Sequence, residues 1–253
     1  MKVEIIPCLK DNYSYVIIDE KNKKTCVIDP SEPKPIINFL EKNNLKLSFI
    51  LNTHHHYDHV GGNTELKKKY GAKVIGFAED FHKIPEMDIK LKDEEIWKKY
   101  NFEAKVIHIP GHTLGHICYY FYNDNNLFTG DTLFSLGCGR IFEGTYEQMF
   151  SSLEKIKKLP SKTKIYCGHE YTLQNSKFCI KYDSKNKSLI SKINEINEKI
   201  KNNKPTLPST LKDELKNNIF LRSNNEEIKT NLNIEGSTSL VTFSKLRDLK
   251  DNF

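Results

Sequence analysis

A chain of 253 residues is long enough to bury a sizeable core, in one large domain or in one domain with a smaller appendage. With 38% hydrophobic and 28% charged residues its composition is that of a globular protein, which excludes the disordered and fibrous classes. The net charge of +6 is unevenly placed: from Lys177 onward 15 Lys plus Arg face 10 Asp plus Glu, so the basic excess belongs to the last third, as solvated helix faces or as a partner for a small anion.

The N-terminal stretch MKVEIIPCLKDNY has Glu4 and Pro7 where a signal peptide needs an unbroken apolar run. No later segment approaches the length of a membrane span, so a cytoplasmic protein without a membrane partner is expected. VEIIPCL, YSYVIID and TCVIDP read as strands, KPIINFLEKNN as a helix, and LSFILNT as a strand that runs into the segment HHHYDHVGG. AKVIGFA, AKVIHIP, ICYYFY, NLFTGD and KIYCGH continue the strand series, and TYEQMFSSLEKIKKL interrupts it with helical spacing. Strands outnumber helices, so two sheets packed face to face with helices outside are the economical arrangement. Cys8, Cys26, Cys118, Cys138, Cys167 and Cys179 are scattered without a CxxC pair and are expected to be reduced and mostly buried.

After Tyr171 the character changes. SLISKINEINEKIKN predicts an amphipathic helix with Leu189, Ile193, Ile196 and Ile200 on one stripe; PTLP breaks it, and STLKDELKNN starts another with Ser209 as its cap. The expected organisation is a domain over residues 1–172 and a small α-helical domain over residues 173–253.

Histidines and acids recur where strands end. His54, His56, Asp58 and His59 follow SFILNT, His112 follows KVIHIPG, Asp131 follows NLFTG, and His169 follows KIYCG. Glycine or turn residues flank each, so these side chains are expected on loops at one rim of the sheets. Seven ligands exceed the three or four that one zinc ion takes. Two ions about 3.5–4 Å apart use all seven if one carboxylate, most naturally Asp131, bridges both. The imidazole and carboxylate mixture favours zinc, iron or manganese over calcium or magnesium. His55 is expected to point away from its ligand neighbours if the segment is extended, and His116 to support the site by a hydrogen bond. His82 and His108 receive no role.

The pattern formed by Thr53, His54, His56, Asp58 and His59, together with PGHTLGH, FTGD and CGHEYT, resembles the metallo-β-lactamase superfamily. THHHYDHVGGN, GCGRIFEGT, CGHEYT and the terminal LRDLKDNF carry a closer likeness to glyoxalase II, the hydroxyacylglutathione hydrolases, over nearly the whole chain. The resemblance implies an α/β fold, the αββα four-layer metallo-β-lactamase sandwich with a small C-terminal α-helical domain that binds glutathione. It implies two divalent ions, zinc first and iron or manganese as alternatives, with His54, His56 and His112 on one, Asp58, His59 and His169 on the other, and Asp131 bridging. A hydroxide bridging the ions, with Asp58 and Asp131 as the catalytic carboxylates, would attack the thioester of S-D-lactoylglutathione in methylglyoxal detoxification and release D-lactate and glutathione. Glutathione is expected on Arg140, Tyr171, Arg247 and Lys250, the last two as cations at partly exposed positions, and no nucleic acid is expected.

Three positions depart from the family: Tyr57 stands where many relatives have tryptophan, Arg140 where lysine is common, and Phe142 where a tyrosine often donates a hydroxyl to the peptide. The rivals on the same scaffold are a persulfide dioxygenase, which needs one redox-active iron and about three protein ligands, and a nuclease that uses the basic last third as an RNA arm. A metal-stabilised binding module is the non-enzymatic alternative.

Overall fold

The structure is a computed structural model that describes all 253 residues. It divides into two compact units, one of residues Met1–His108 with Gly115–Gly130, the other of Ile109–Leu114 with Asp131–Phe253. The helical stretch from residue 173 onward therefore falls in the same unit as residues 131–172.

In the first unit, strands β1 (Lys2–Cys8), β2 (Asn12–Asp19), β3 (Lys24–Ile28), β4 (Leu47–Leu51), β5 (Lys73–Phe77) and β6 (Met87–Leu91) form one sheet in sequence order. β1 to β3 pair antiparallel and β3 to β6 parallel. The switch has a local cause. Parallel neighbours need a crossover, and α1 (Pro33–Lys42) supplies it between β3 and β4, while the one-turn α2 (Tyr57–Val60) and then α3 (Asn63–Tyr70) lie between β4 and β5. Ile36 and Leu40 of α1 and Leu66 of α3 pack on Val16, Ile18, Val27, Ile50 and Val74, which covers one face of the sheet.

The opposite face meets an antiparallel meander of β7 (Ile96–Lys99), β8 (Phe102–His108), β9 (Ile117–Phe121) and β10 (Asn126–Gly130). Tyr15 packs edge-on against Phe128 with ring centroids 5.4 Å apart, Phe49 against Trp97 at 5.3 Å, and the Tyr119 hydroxyl donates to the Asn52 carbonyl at 3.0 Å. This is the expected pair of sheets sharing an inner core. β6 and β7 were not among the predicted strands: MDIKL and IWKK show water half of their residues and carry lysines, so little apolar signal marks them.

The second unit holds two short hairpin strands, β11 (Leu133–Phe134) and β12 (Gly137–Cys138), the antiparallel pair β13 (Lys164–Cys167) and β14 (Ser209–Thr210), and helices α4 (Tyr146–Lys157), α5 (Thr172–Tyr182), α6 (Lys187–Lys201), α7 (Leu211–Asn217), α8 (Glu226–Asn231) and α9 (Ser239–Asp251). Thr145 caps α4 in a capping box with Gln148. On α6, Leu189 and Ile196 are buried as the periodicity predicts, but Ile200 at the last turn is exposed. The predicted cap Ser209 is a correction: Ser209 pairs with Ile165 in β14, and the Thr210 hydroxyl accepts from the Asp213 N–H at 3.1 Å, so Thr210 caps α7. All six cysteines are free and buried. No helix is long and apolar enough to cross a membrane.

Candidate metal site

β3 and β4 are parallel neighbours, so their C-terminal ends lie side by side. Asp29 follows the first and Thr53 to His59 the second. At His56 the backbone is extended (φ −60°, ψ 143°), and the chain then turns once as α2, which folds His59 back toward His54. The rings of His54 and His56 come to 4.8 Å and those of His54 and His59 to 4.2 Å. One ligand atom each from Asp29, His54 and His59 lies within 4.8 Å of the others.

Buried acceptors and donors fix these rings. Asp29, 2% exposed, accepts from the Thr53 N–H at 2.7 Å and from the Thr53 hydroxyl at 2.6 Å, and its Oδ2 lies 3.1 Å from His59 Nδ1. A carboxylate at Nδ1 makes that nitrogen the protonated one and presents the Nε2 lone pair outward, the arrangement of a metal-ligating histidine. His59 Nε2 indeed faces Asp58 Oδ2 at 3.5 Å, and Asn12 Nδ2 donates to that same Oδ2 at 3.0 Å. Asp29 and Asn12 were absent from the predicted site. Asp29 carries the same signal as Asp131, an acid at the end of a β-run, whereas Asn12 carries none.

His55 points elsewhere: its Nδ1 is 3.0 Å from Asp80 Oδ2. His116 stacks on His54 at 4.6 Å with an interplanar angle of 19°. His108 stacks on Phe77.

The other three expected ligands gather in the second unit. Asp131 Oδ2 lies 3.6 Å from His112 Nε2 and 3.3 Å from His169 Nε2, so one carboxylate oxygen faces two imidazoles. His112 Nδ1 donates to the Arg140 carbonyl at 2.7 Å, which leaves Nε2 as the free-electron-pair nitrogen. Tyr171 stacks on His169 with centroids 4.7 Å apart and planes at 6°, and Phe142, 61% exposed, meets the His112 ring edge-on at 5.2 Å. The donor set fits divalent ions. Carboxylate oxygens and imidazole nitrogens face each other at 3.3–3.6 Å, too far for good hydrogen bonds and suited to atoms that share a cation.

The residues expected to hold glutathione differ in exposure. Arg140 is exposed and its Nε donates to Asp251 Oδ1 at 3.1 Å. Arg247 is a correction to the expected partly exposed cation: it is 4% exposed, lies over the Phe220 ring, and donates to the Cys138 carbonyl at 2.7 Å and to Asp251 at 2.9 Å. Burial, and then the Arg247 charge, hold the Lys250 ammonium below the usual lysine range, with Nζ between the Phe178 and Phe253 rings. Burial also pushes the Cys138 thiol up to about 11 and the Cys179 thiol up to about 12, and raises Cys167 further, so none of these offers a thiolate near neutral pH.

Comparison with known proteins agrees along the whole chain. The sequence model of the metallo-beta-lactamase superfamily matches residues 10–169, and that of the hydroxyacylglutathione hydrolase C-terminus matches residues 170–253. A hydroxyacylglutathione hydrolase from Pelagibacter ubique (strain HTCC1062) is 63% identical over 253 residues, all of both chains, and one from Methylococcus capsulatus is 42% identical over 98% of this chain and 97% of its own. Among solved structures, the BLEG-1 B3 metallo-beta-lactamase superposes with a TM-score of 0.69 at 22% identity over 87% of this chain and 99% of its own. ETHE1 from Myxococcus xanthus gives 0.67 at 20% identity over 100% and 91%. At those identities the structures speak for the fold, which is the metallo-β-lactamase fold with a C-terminal helical segment.

Proposed function

The chain belongs to the hydroxyacylglutathione hydrolases of the metallo-β-lactamase superfamily, and from that membership we propose that it hydrolyses S-2-hydroxyacylglutathione thioesters. S-D-lactoylglutathione would give D-lactate and glutathione, the step that disposes of methylglyoxal. The observation that carries this reading is the single Asp131 oxygen facing both His112 Nε2 and His169 Nε2, the disposition a carboxylate needs to serve two cations at once.

Seven residues would supply the ligands: His54, His56 and His112 for one divalent ion, Asp58, His59 and His169 for the other, Asp131 for both, with zinc the fitting metal and iron or manganese compatible with the same donors. When bound, such ions lower the pKa of water from 15.7 toward about 7 and polarise a carbonyl oxygen. The protein does the rest. Asp58 and Asp131 temper the positive charge, Asn12 and Asp29 hold Asp58 and His59 in place, and the Arg140 carbonyl sets the tautomer of His112. Attack of water on the thioester carbonyl breaks the C–S bond and expels glutathione thiolate, a leaving group that needs little protonation. No cysteine nucleophile is required, in keeping with the raised thiols.

Arg140, Tyr171 and Lys250 would receive the tripeptide, whose two carboxylates call for cationic donors. Arg140 and Tyr171 are exposed enough for direct contact, Lys250 is half-buried, and Arg247 is buried. Residues 173–253 are on this reading the glutathione-binding part. Six free thiols fit a reducing compartment, the cytoplasm. Following the thioester absorbance of S-D-lactoylglutathione with the purified, metal-loaded protein tests the proposal: rapid loss with release of free thiol is expected, and an inert thioester beside turnover of a phosphodiester would overturn it.

A further inference from the structure

Of the cations expected to hold glutathione, Arg247 alone is almost wholly buried, and its donors are spent on the protein itself. Nη1 donates to the Cys138 carbonyl at 2.7 Å and lies 3.5 Å from the Gly139 carbonyl. Nη2 donates to Asp251 Oδ1, and the same Oδ1 accepts from Arg140 Nε. One turn of α9 thus grips the segment Cys138–Gly139–Arg140 twice, by its backbone and by its arginine side chain.

That segment touches two of the residues assigned to the metal. The Arg140 carbonyl accepts the His112 Nδ1 proton at 2.7 Å. Gly139 lies against Asp131 so closely that a Cβ on it would meet the Asp131 carbonyl oxygen at 1.8 Å and His112 Nδ1 at 3.4 Å, and its N–H donates to the Thr132 carbonyl at 3.0 Å. The Phe142 and Glu143 N–H groups both reach the His112 carbonyl at 3.3 Å. Where Arg140 O stands decides which ring nitrogen of His112 carries the proton and where Nε2 aims.

We propose that Arg247, with Asp251, is a positioning residue for the metal ligands: the C-terminal helix braces the 138–140 segment, and through the Arg140 carbonyl it fixes the tautomer and direction of His112. This rests on the assignment of His112 and Asp131 as ligands and goes beyond it. A buried guanidinium suits such a role, because its rigid planar fork holds a carbonyl and a carboxylate in fixed directions, where a lysine offers a point charge on a flexible stem. Binding of the tripeptide at exposed Arg140 and metal affinity would then share one structural element.

The test needs no substrate. Apoprotein is titrated with Zn²⁺ against a chromophoric chelator, and with Co²⁺ while its visible ligand-field bands are recorded, for wild type, Arg247→Met, Arg247→Lys and Asp251→Asn, with circular dichroism melts as a fold control. Wild type is expected to take two ions. In Arg247→Met one of the two should bind about 10- to 100-fold more weakly, with altered cobalt bands. Arg247→Lys should recover part of the loss, and Asp251→Asn should move in the same direction as Arg247→Met. Should Arg247→Met not fold, Asp251→Asn decides, since it leaves the contact to Cys138 in place. Metal titrations and cobalt spectra identical to wild type in the folded variants, with any defect confined to KM, overturn the brace and make Arg247 a substrate contact. A wild type that takes up no ion overturns the metal assignment itself.

Discussion

At the scale of single residues, the site depends on groups that meet no substrate. Asp29 is the clearest case: it lies in the left-handed region at φ 46°, unusual for a residue other than glycine, asparagine or a few polar types, and it joins Thr53 to His59. A position strained in this way is kept where the surrounding contacts determine it, and here those contacts are the histidine motif itself. Asp29→Asn keeps the shape and removes the charge that makes His59 a strong donor to a metal. It should weaken binding of one ion by about 10- to 100-fold, measured by chelator competition, while the rest of the molecule melts within a few degrees of wild type. An unchanged titration would reduce Asp29 to a packing group. The sequence marks Asp29 only as an acid at the end of an apolar run, and the fold alone shows that it backs His59 while Asp80 backs His55.

Elements bring their own electrostatics. The hairpin of β11 and β12 turns through Leu136 at φ 57° and is fastened from beneath: Glu214 accepts the Leu136 N–H at 2.8 Å, and Asn218 Nδ2 donates to the Phe134 and Gly137 carbonyls at 3.2 and 3.0 Å. Burial raises the Glu214 pKa, and the bonds from Leu136 and Asn218 offset only part of it. A carboxyl whose folded pKa lies above its unfolded value of about 4.3 contributes stability below that value and loses it as pH rises through the folded pKa. Glu214→Gln should therefore match wild type near about pH 4 and gain on it toward about pH 8, read as urea midpoints at the two pH values. A gap that shrinks with rising pH would show that Glu214 is stabilised as the anion. The helix that carries Glu214 offers a second check. Because Thr210 rather than Ser209 accepts the Asp213 N–H, Thr210→Ala should cost about 1 kcal/mol and Ser209→Ala should leave that cap intact. Equal losses would mean that the cap is not what sets the start of α7.

For the whole molecule the decisive quantity is metal content. The seven donors proposed for the site, one of them a shared carboxylate, would fit no single first-row ion, so elemental analysis should find close to two ions per chain. His169→Ala should lower that number, and Asp131→Asn should lower it most, since Asp131 Oδ2 faces both His112 and His169. One ion per wild-type chain, left unchanged by His169→Ala, would end the binuclear reading.

The chemistry and most of the frame are legible in the order of residues along the chain. Imidazoles and acids at the ends of β-runs are rare enough as a set to be counted, and apolar runs or helical spacing mark elements such as β1 to β5, α1, α4 and α6. Weak signal belonged to elements that show water half of their residues, such as β6 and β7, and to the polar helix α5, where stability comes from neighbours far along the chain. The tertiary structure alone decided which polar groups stand behind the ligands. Asn12 and Asp58 are 46 positions apart, His112 and the Arg140 carbonyl 28, Arg247 and Cys138 109. Local pattern reports which face of an element is apolar; it does not report which distant carbonyl or carboxylate the folded chain brings to a given ring nitrogen, and a buried Arg247 reads in sequence like any surface cation until that packing exists.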